Sequence, residues 1–166
     1  MAITNYTDLQ TTIADTLNRD DVTSVIPTFI AMAEAQMSRD IRHWRMETRS
    51  NGVQDAGDAY MQVPANWVET VRFSVTDKGT SPIAMSDSTT MAENRAKYND
   101  QYGTPTSYTL EAGQFHLYPT PIEETNVELI YTAQIPDLAT SSTNWLLSYA
   151  PDVYLYGSLL HSAPYL

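Results

Sequence analysis

Residues 41–49 read Ile41-Arg42-His43-Trp44-Arg45-Met46-Glu47-Thr48-Arg49, and the spacing of the apolar side chains changes within this stretch. Upstream of it, apolar residues recur every three or four positions, as they do on one face of a helix. From Trp44 onward, Trp44, Met46 and Thr48 alternate with charged residues, which is typical of a half-buried strand. The stretch therefore predicts that a helical part ends near residue 43 and that a strand begins at residue 44.

Two helices are predicted before this change of period. Thr7 and Gln10 fit a capping box, in which both side chains satisfy free amides at a helix start, and this first helix is expected to run to about Asn18. Pro27 suits the first turn of a second helix. The first helix would bury Leu9, Ile13 and Leu17, and the second Phe29, Ile30, Ala33, Met37, Ile41 and Trp44.

The middle of the chain reads as short strands separated by turns. Asn51-Gly52 predicts a turn, and Glu111-Ala112-Gly113 predicts the tip of a β-hairpin. The predicted strands cover residues 60–63, 67–75, 108–110, 114–118 and 127–133. Residues 86–98 form a helix candidate that Ser86 or Ser88 would cap, residues 136–144 read as a polar linker, and a final helix begins near Trp145 or restarts at Pro151.

This layout predicts an α+β fold, in which an N-terminal helix pair and a C-terminal helix pack together around an inserted block of short, mostly antiparallel strands. The length of 166 residues fits one domain. The predicted single domain, 1–166, has a helical part formed by residues 6–43 and 144–163 and a β-rich lobe formed by residues 44–136.

The composition favours an interaction protein over a nucleic-acid binder. Asp and Glu number 20 against 9 Lys and Arg, a net charge of −11, so the overall field repels phosphate. An acidic wall past which DNA slides would have the same charge. The 11 tyrosines fit either protein interfaces or strands. We expect a chain without a membrane span or signal peptide.

No pattern of catalytic or metal-binding residues stands out. The chain has no cysteine, and His43, His116 and His161 occur singly without the spacing of a metal site. His116 alternates with Phe115 and Leu117 in the predicted hairpin, so we expect its side chain to face solvent. We expect no cofactor and no enzymatic activity, with an uncharacterised hydrolase as a remote alternative.

Two segments are candidate interfaces. Arg39, Arg42, Arg45 and Arg49 reverse the acidic charge locally, which fits either an electrostatic contact with an acidic neighbour or cations at a solvated helix end. At the C-terminus, Pro164, Tyr165 and Leu166 follow an apolar helical segment and are expected to contact a neighbouring subunit or a partner.

Several stretches, taken in order, resemble the head-to-tail adaptor (connector) proteins of tailed bacteriophages. The resemblance is carried by ITNYTDLQ at 3–10, IPTFIAMAE at 26–34, IRHWRM at 41–46, LYP at 117–119, VELIY at 127–131 followed by Ile135-Pro136, NWLL at 144–147 and APDVYLYG at 150–157. These stretches consist of packing and turn residues, and their order along residues 3–166 carries the specificity.

The resemblance implies a structural virion protein, located at the head–tail junction and assembled in the bacterial host cytoplasm. It implies a homo-oligomeric ring of about twelve copies that binds the portal protein and contacts a downstream tail or nozzle protein. The genome would pass through the ring without specific binding. A different class of function, a small virion binding module such as a tail-fibre or receptor-contact piece, is the alternative. Ring or trimeric assembly would distinguish the two.

Overall fold

The computed structural model describes residues 2–77 and 79–165, which form two compact units. The helical unit comprises Met1–Met46 and Gln134–Leu166, and the sheet unit comprises Glu47–Ala133. The helical unit is thus built from both ends of the chain, while the sheet unit is one continuous segment. The single-domain organisation stays a prediction.

The helical unit contains five α-helices in its described residues. They are α1 (Tyr6–Leu17), α2 (Ile26–Asp40), α4 (Leu138–Ser141), α5 (Trp145–Tyr149) and α6 (Pro151–Ser162), with α3 lying in the sheet unit. Short 3-10 turns occupy Asp20–Val25, Trp44–Met46 and Ala163–Tyr165. The segment expected to be a polar linker contains α4, because Leu138 is fully buried and anchors it.

The start of α1 differs from the prediction. Asn5 caps the helix, and its side-chain oxygen accepts a hydrogen bond from the amide of Asp8 at 2.9 Å. The Asp8 carboxylate in turn accepts from the amide of Thr4 at 3.1 Å. The capping box predicted at Thr7 and Gln10 was wrong, because the helix begins one residue before Thr7.

The second helix confirms the position of Pro27 in its first turn and the burial of Phe29, Ile30, Ala33 and Met37. The predicted apolar face was wrong at its end, because Trp44 is 68% exposed. Residues 44–46 form a 3-10 turn, and the strand begins three residues later than predicted, at Glu47. Only Met46 of this turn is buried, so it fixes the turn against the helical core.

The α2 and α6 helices pack together with α1 around a mostly aliphatic core. Its buried members are Leu9, Ile13, Ile26, Phe29, Ile30, Ala33, Met37, Met46, Ile135, Leu138, Leu146, Leu147 and Tyr154. At about 1.5–3 kcal/mol for each large apolar side chain removed from water, this cluster stabilises the unit against the entropy of its separate segments. Leu17, Leu155 and Leu159 pack against it while partly exposed.

The sheet unit holds two four-stranded sheets. Their strands are β1 (Glu47–Gln54), β2 (Tyr60–Gln62), β3 (Trp67–Val75), β4 (Ser81–Pro82), β5 (Ala84–Met85), β6 (Ser107–Glu111), β7 (Gln114–Tyr118) and β8 (Thr125–Ala133). One sheet has the order β1-β8-β3-β4, and the other has the order β2-β7-β6-β5. All strand pairs are antiparallel except β5 with β6.

Asn51-Gly52 was predicted to be a turn and instead lies inside β1, where Gly52 is paired with Val127. A Cβ atom on Gly52 would lie 3.3 Å from the Met61 side chain, so the glycine permits a close approach between the strand and Met61. The glycine was therefore a packing signal and not a turn signal.

The hairpin and the middle helix were predicted more closely. The β6–β7 turn places Ala112 and Gly113 at φ of 48° and 78°, the left-handed conformation that two-residue hairpins require. The middle helix, α3, spans Ser88–Tyr98, and its cap is Asp87 and not either serine. The Asp87 carboxylate accepts from the amide of Thr90 at 2.9 Å.

Rings dominate the core of the sheet unit. The Phe115 ring lies 5.2 Å from that of Phe73, 5.7 Å from that of Tyr108 and 6.1 Å from that of Trp67. Aromatic side chains combine a large buried area with edge-to-face attraction. Both sheets contribute to this single core, since β3 and β8 belong to one sheet and β6 and β7 to the other.

The fold class predicted from sequence is confirmed: the protein is α+β, with helices at both chain ends and sheets between them. No helix among the described residues has the length and apolar character needed to cross a membrane.

Candidate assembly interface

The four arginines predicted as one cluster lie in different units. Arg39, Arg42 and Arg45 belong to the helical unit, at the end of α2 and in the turn that follows. Arg49 lies on β1 in the sheet unit, where its Nε is 3.4 Å from the Glu128 carboxylate. The structure therefore describes three arginines in one unit and a fourth in a surface ion pair of the other.

Arg42 serves the end of α2. Its Nη1 donates to the backbone carbonyls of Ser38 and Arg39, both at 3.1 Å, and of Ile41 at 2.8 Å. The last carbonyls of a helix have no partner within the helix, and a cation also interacts favourably with the helix dipole there. For this residue, the contacts fit a helix-end cation.

Arg45 has a different environment, because its guanidinium lies against exposed rings. It is 5.3 Å from the ring centre of Trp44 and 5.4 Å from that of Tyr149. The His43 ring stacks on Trp145 at 5.1 Å, with 19° between the planes, and lies 5.5 Å from the Trp44 ring. We call these five side chains (His43, Trp44, Arg45, Trp145 and Tyr149) the cation–aromatic surface.

Backbone features hold this surface in place. The 3-10 turn closes through the Met46 amide, which donates to the His43 carbonyl at 2.9 Å, and the Arg45 amide donates to His43 Nδ1 at 3.2 Å. Asn144 caps α5 by accepting from the Leu147 amide at 2.9 Å. The surface is thus anchored next to the buried side chains of Met46 and Leu147.

The cation–aromatic surface leaves large aromatic side chains in water. Trp44 is 68% exposed and Tyr149 is 74% exposed. An exposed cation–π contact stabilises by only about 0.5–1 kcal/mol, so the fold gains little from holding these groups together in water. Trp, Tyr and Arg are the residue types that contribute most to binding energy at protein interfaces. The surface is therefore suited to contact another protein.

The same unit has an exposed apolar stripe on α6. Val153, Tyr156 and Leu160 are 38%, 68% and 66% exposed, and their spacing places them along one side of the helix. A shallow apolar groove runs between α2 and α6, and a Cβ on Gly157 would lie only 3.2 Å from the Met37 side chain. Gly157 thus lets the two helices approach closely at this groove.

Of the C-terminal candidates, the structure describes only Pro164 and Tyr165. Pro164 and Tyr165 are exposed and belong to the last 3-10 turn, while Leu166 lies outside the described residues. The Tyr165 ring lies 5.0 Å from the Phe29 ring, and its carbonyl accepts from Arg19 at 3.1 Å. Tyr165 is thus docked on its own unit and is still 50% exposed.

His116 was predicted to face solvent, and this was wrong. Its side chain is buried because Tyr60 stacks on it with ring centres 4.5 Å apart, and because α3 covers the outer side of the sheet. Its Nδ1 lies 3.4 Å from the Glu111 carboxylate. Burial, and then the nearby charge of Arg95, lower the pKa of His116, so the ring is neutral at neutral pH.

No metal centre emerges in the part of the chain that the structure describes, since no group of three or more His, Cys, Asp or Glu side chains is placed to hold an ion. The sequence did not predict that His43 stacks on Trp145, because the two residues are far apart in the chain. The sequence shows the histidine, tryptophan and arginine residues, but it does not show that the two segments meet in the fold.

The fold and surface define a class of protein: a mixed helix and strand structure with an arginine beside exposed aromatic rings, the residue types that are enriched where proteins bind each other. A family model described as SU10 adaptor protein matches residues 4–166. The chain belongs to this family of phage head–tail adaptors. It is therefore a structural protein and a component of the phage particle, and the family implies interaction with portal and tail proteins. No curated protein matches the chain.

Proposed function

We propose that this protein forms a closed ring of about twelve copies that docks on the portal and frames the channel for the genome. The observation that carries this proposal is the cation–aromatic surface, with Trp44 and Tyr149 largely in water, in a chain of the adaptor family. A subunit inside a ring needs contacts with its neighbours and with the protein above or below it. Large exposed rings beside an arginine supply such contacts.

Within this proposal, the candidate residues have separate roles. Arg39 and Arg45 contact neighbouring protein, while Arg42 mainly satisfies the end of α2. Pro164, Tyr165 and Leu166 contact the portal or a neighbouring subunit. Arg49 adds to the ion pairs around Glu128 on the sheet surface, where Arg72 also lies 2.6 Å from that carboxylate.

The charge supports a role as a conduit. With 20 acidic against 9 basic residues, the protein has a net charge of −11, which opposes the phosphate contacts that hold DNA. DNA would therefore pass the ring without being retained. Assembly would take place in the host cytoplasm, where the ring closes on a portal and then receives the tail or nozzle protein.

Capture by an isolated portal ring tests the proposal. Purified protein is mixed with the portal of the phage that encodes it, and the mass of the complex gives the number of bound copies. We expect a single species with about twelve copies, since a closed ring holds a fixed number of subunits. A chain that remains unbound at micromolar concentration, or that forms a trimer alone, would contradict the ring and favour a fibre-type binding module.

A gel shift with double-stranded DNA tests the conduit argument separately. We expect no retention at about 0.15 M salt, since phosphate contacts are the main source of nonspecific affinity. Micromolar binding that weakens steeply with added salt would overturn this part of the proposal and leave the ring unaffected.

A further inference from the structure

The sheet unit gathers carboxylates at one end of its β1-β8-β3-β4 sheet. Because β1 and β3 both run antiparallel to β8, the last residues of β1 and β3 lie beside the first residues of β8. Gln54 pairs with Thr125, and Val75 pairs with Val127. The loops at this end carry Asp55, Asp58, Asp77, Glu123 and Glu124, all of them exposed.

Hydrogen bonds hold these loops together. The Gly57 amide donates to the Pro121 carbonyl at 2.8 Å, which joins the loop after β1 to the loop before β8. The Asn126 amide donates to the Asp77 carboxylate at 2.8 Å, which joins the end of β3 to the same place. Asp77 and Glu123 line one small cleft. Lys78, the basic residue of these loops, lies outside the described residues.

This end of the sheet also exposes a large aliphatic side chain. Ile122 is 68% exposed and directly precedes Glu123 and Glu124. Carboxylates alone would be ordinary for an acidic protein. An exposed isoleucine beside these carboxylates means that a partner could make an apolar contact as well as ionic ones. We call Ile122 with the five carboxylates the acidic end.

The acidic end and the cation–aromatic surface are complementary in both respects. One presents carboxylates around an exposed aliphatic side chain, and the other presents Arg45 between the exposed rings of Trp44 and Tyr149. In a chain with 20 acidic and 9 basic residues, most contacts between copies would be repulsive. A pairing that brings arginine to carboxylate avoids this repulsion and fixes which surfaces meet.

We propose that the acidic end of one copy binds the cation–aromatic surface of the next copy. This inference rests on the proposed ring, and it names the partner of the cation–aromatic surface as a second copy of this chain. Two different surfaces that bind each other generate a head-to-tail contact, which closes into a ring when the rotation allows. The Arg45 guanidinium lies among the neighbour's carboxylates, and Ile122 packs against the exposed rings.

Charge exchange tests this contact on the full chain. The variants are Arg45→Glu, Glu123→Lys with Glu124→Lys, and all three changes together. Copies bound per portal ring and the half-saturating concentration are measured for each. We expect both partial variants to bind at least about tenfold more weakly, because like charges then face each other. The combined variant restores opposite charges and should recover most of the wild-type occupancy.

A matched control separates this contact from the general effect of charge. Asp15→Lys with Glu93→Lys makes the same change in net charge as Glu123→Lys with Glu124→Lys, at exposed positions on α1 and α3 that belong to neither surface. We expect this control to bind as the wild type does. Thermal melting of every variant should stay near that of the wild type, because all of the changed residues are exposed.

The outcomes separate this inference from the proposed function. If the wild type fills the portal and the partial variants do so equally well, the inter-copy contact is wrong and the ring stands. If Arg45→Glu fails and the combined variant is not restored, the cation–aromatic surface contacts the portal itself, which also overturns the inference. If the wild type is not captured at all, the proposed function fails.

Discussion

The cores of the two units differ in how far they rely on aromatic side chains. In the sheet unit, the rings of Phe73, Tyr108 and Phe115 meet inside a core that both sheets share. In the helical unit the core is mostly aliphatic, and the rings of Trp44 and Tyr149 lie in water. Rings thus form the centre of the sheet core, whereas the helical core rests mainly on aliphatic side chains and leaves Trp44 and Tyr149 in water.

This difference answers the question that the tyrosine content raised. Tyr108 and Tyr131 are buried on strands, as the strand interpretation requires. Tyr149 and Tyr156 are exposed on the helical unit, as the interface interpretation requires. The strand interpretation is confirmed for the buried tyrosines, and the interface interpretation stays a prediction for the exposed ones.

The largest effect on stability should come from removing a ring of the sheet core. Phe115 is fully buried, and Phe115→Ala should lower the free energy of unfolding by about 3–5 kcal/mol through lost contacts and the cavity that remains. Denaturant titration measures this change. A loss below about 1 kcal/mol would mean that the ring cluster contributes little and that the comparison of the two units is mistaken.

A smaller effect is expected at Glu34, which is buried in the aliphatic core of the helical unit. Its carboxylate accepts from the buried amide of Leu138 at 2.8 Å. Glu34→Ala leaves that amide without an acceptor and should cost about 1–3 kcal/mol, while Glu34→Gln keeps an acceptor and should be much milder. Equal losses from both variants would assign the effect to the charge and not to the hydrogen bond.

Glu34 should also affect the pH dependence of stability. Burial raises its pKa, with the Leu138 amide opposing the shift. A carboxyl whose pKa is higher in the folded protein favours folding at low pH, and this contribution is lost as pH rises through the folded pKa. Relative to the wild type, Glu34→Gln should therefore gain stability as pH increases from about 4 to 7. A constant difference over this range would contradict the direction of the shift.

His116 in the sheet unit should respond to acid in the opposite direction. Its pKa is lowered by burial and by Arg95, so the unfolded chain binds the proton more readily than the folded protein does. The stability present above the ordinary histidine pKa is lost as pH falls below about 6.5 and toward the folded pKa. Comparing the pH dependence of unfolding for the wild type and His116→Phe should show this loss only in the wild type. Identical curves would mean that His116 titrates as an exposed histidine.

The smallest effect on stability is expected at the exposed rings. Trp44→Ala with Tyr149→Ala should change the free energy of unfolding by at most about 1 kcal/mol, since only exposed cation–π contacts are lost. The same double variant should lose portal-dependent assembly. A match in size with Phe115→Ala would show that these rings stabilise the fold and are not reserved for binding.

The sequence predicted what local periodicity controls and missed what distant segments decide. The strand predicted at residues 67–75 matches β3, and the predicted tip Glu111-Ala112-Gly113 matches the hairpin, because neighbouring residues determine both. The burial of His116 depends on Tyr60 and on α3, which come from elsewhere in the chain. A period of two indicates which side chains alternate, but it does not show that a sheet is covered on both faces.

The candidate site follows the same rule. The arginines were visible as a run, yet their roles depend on partners outside the run: Arg45 on Tyr149, and Arg49 on Glu128. Trp44 was assigned to the core because it continued the spacing of α2. The helix ends at Asp40, and the 3-10 turn that follows directs Trp44 to the surface. That change of backbone geometry has no periodic signal.

Hydroxyl-radical footprinting tests the central claim most directly, because it reports the exposure of individual side chains in the free protein and on the portal. Trp44 and Tyr149 should be oxidised readily in the free protein and protected in the complex. Tyr98, which is 51% exposed on α3 in the sheet unit, provides the internal control and should keep its reactivity. If the portal-bound protein is oxidised at Trp44 and Tyr149 as readily as the free protein, the cation–aromatic surface is not an assembly interface.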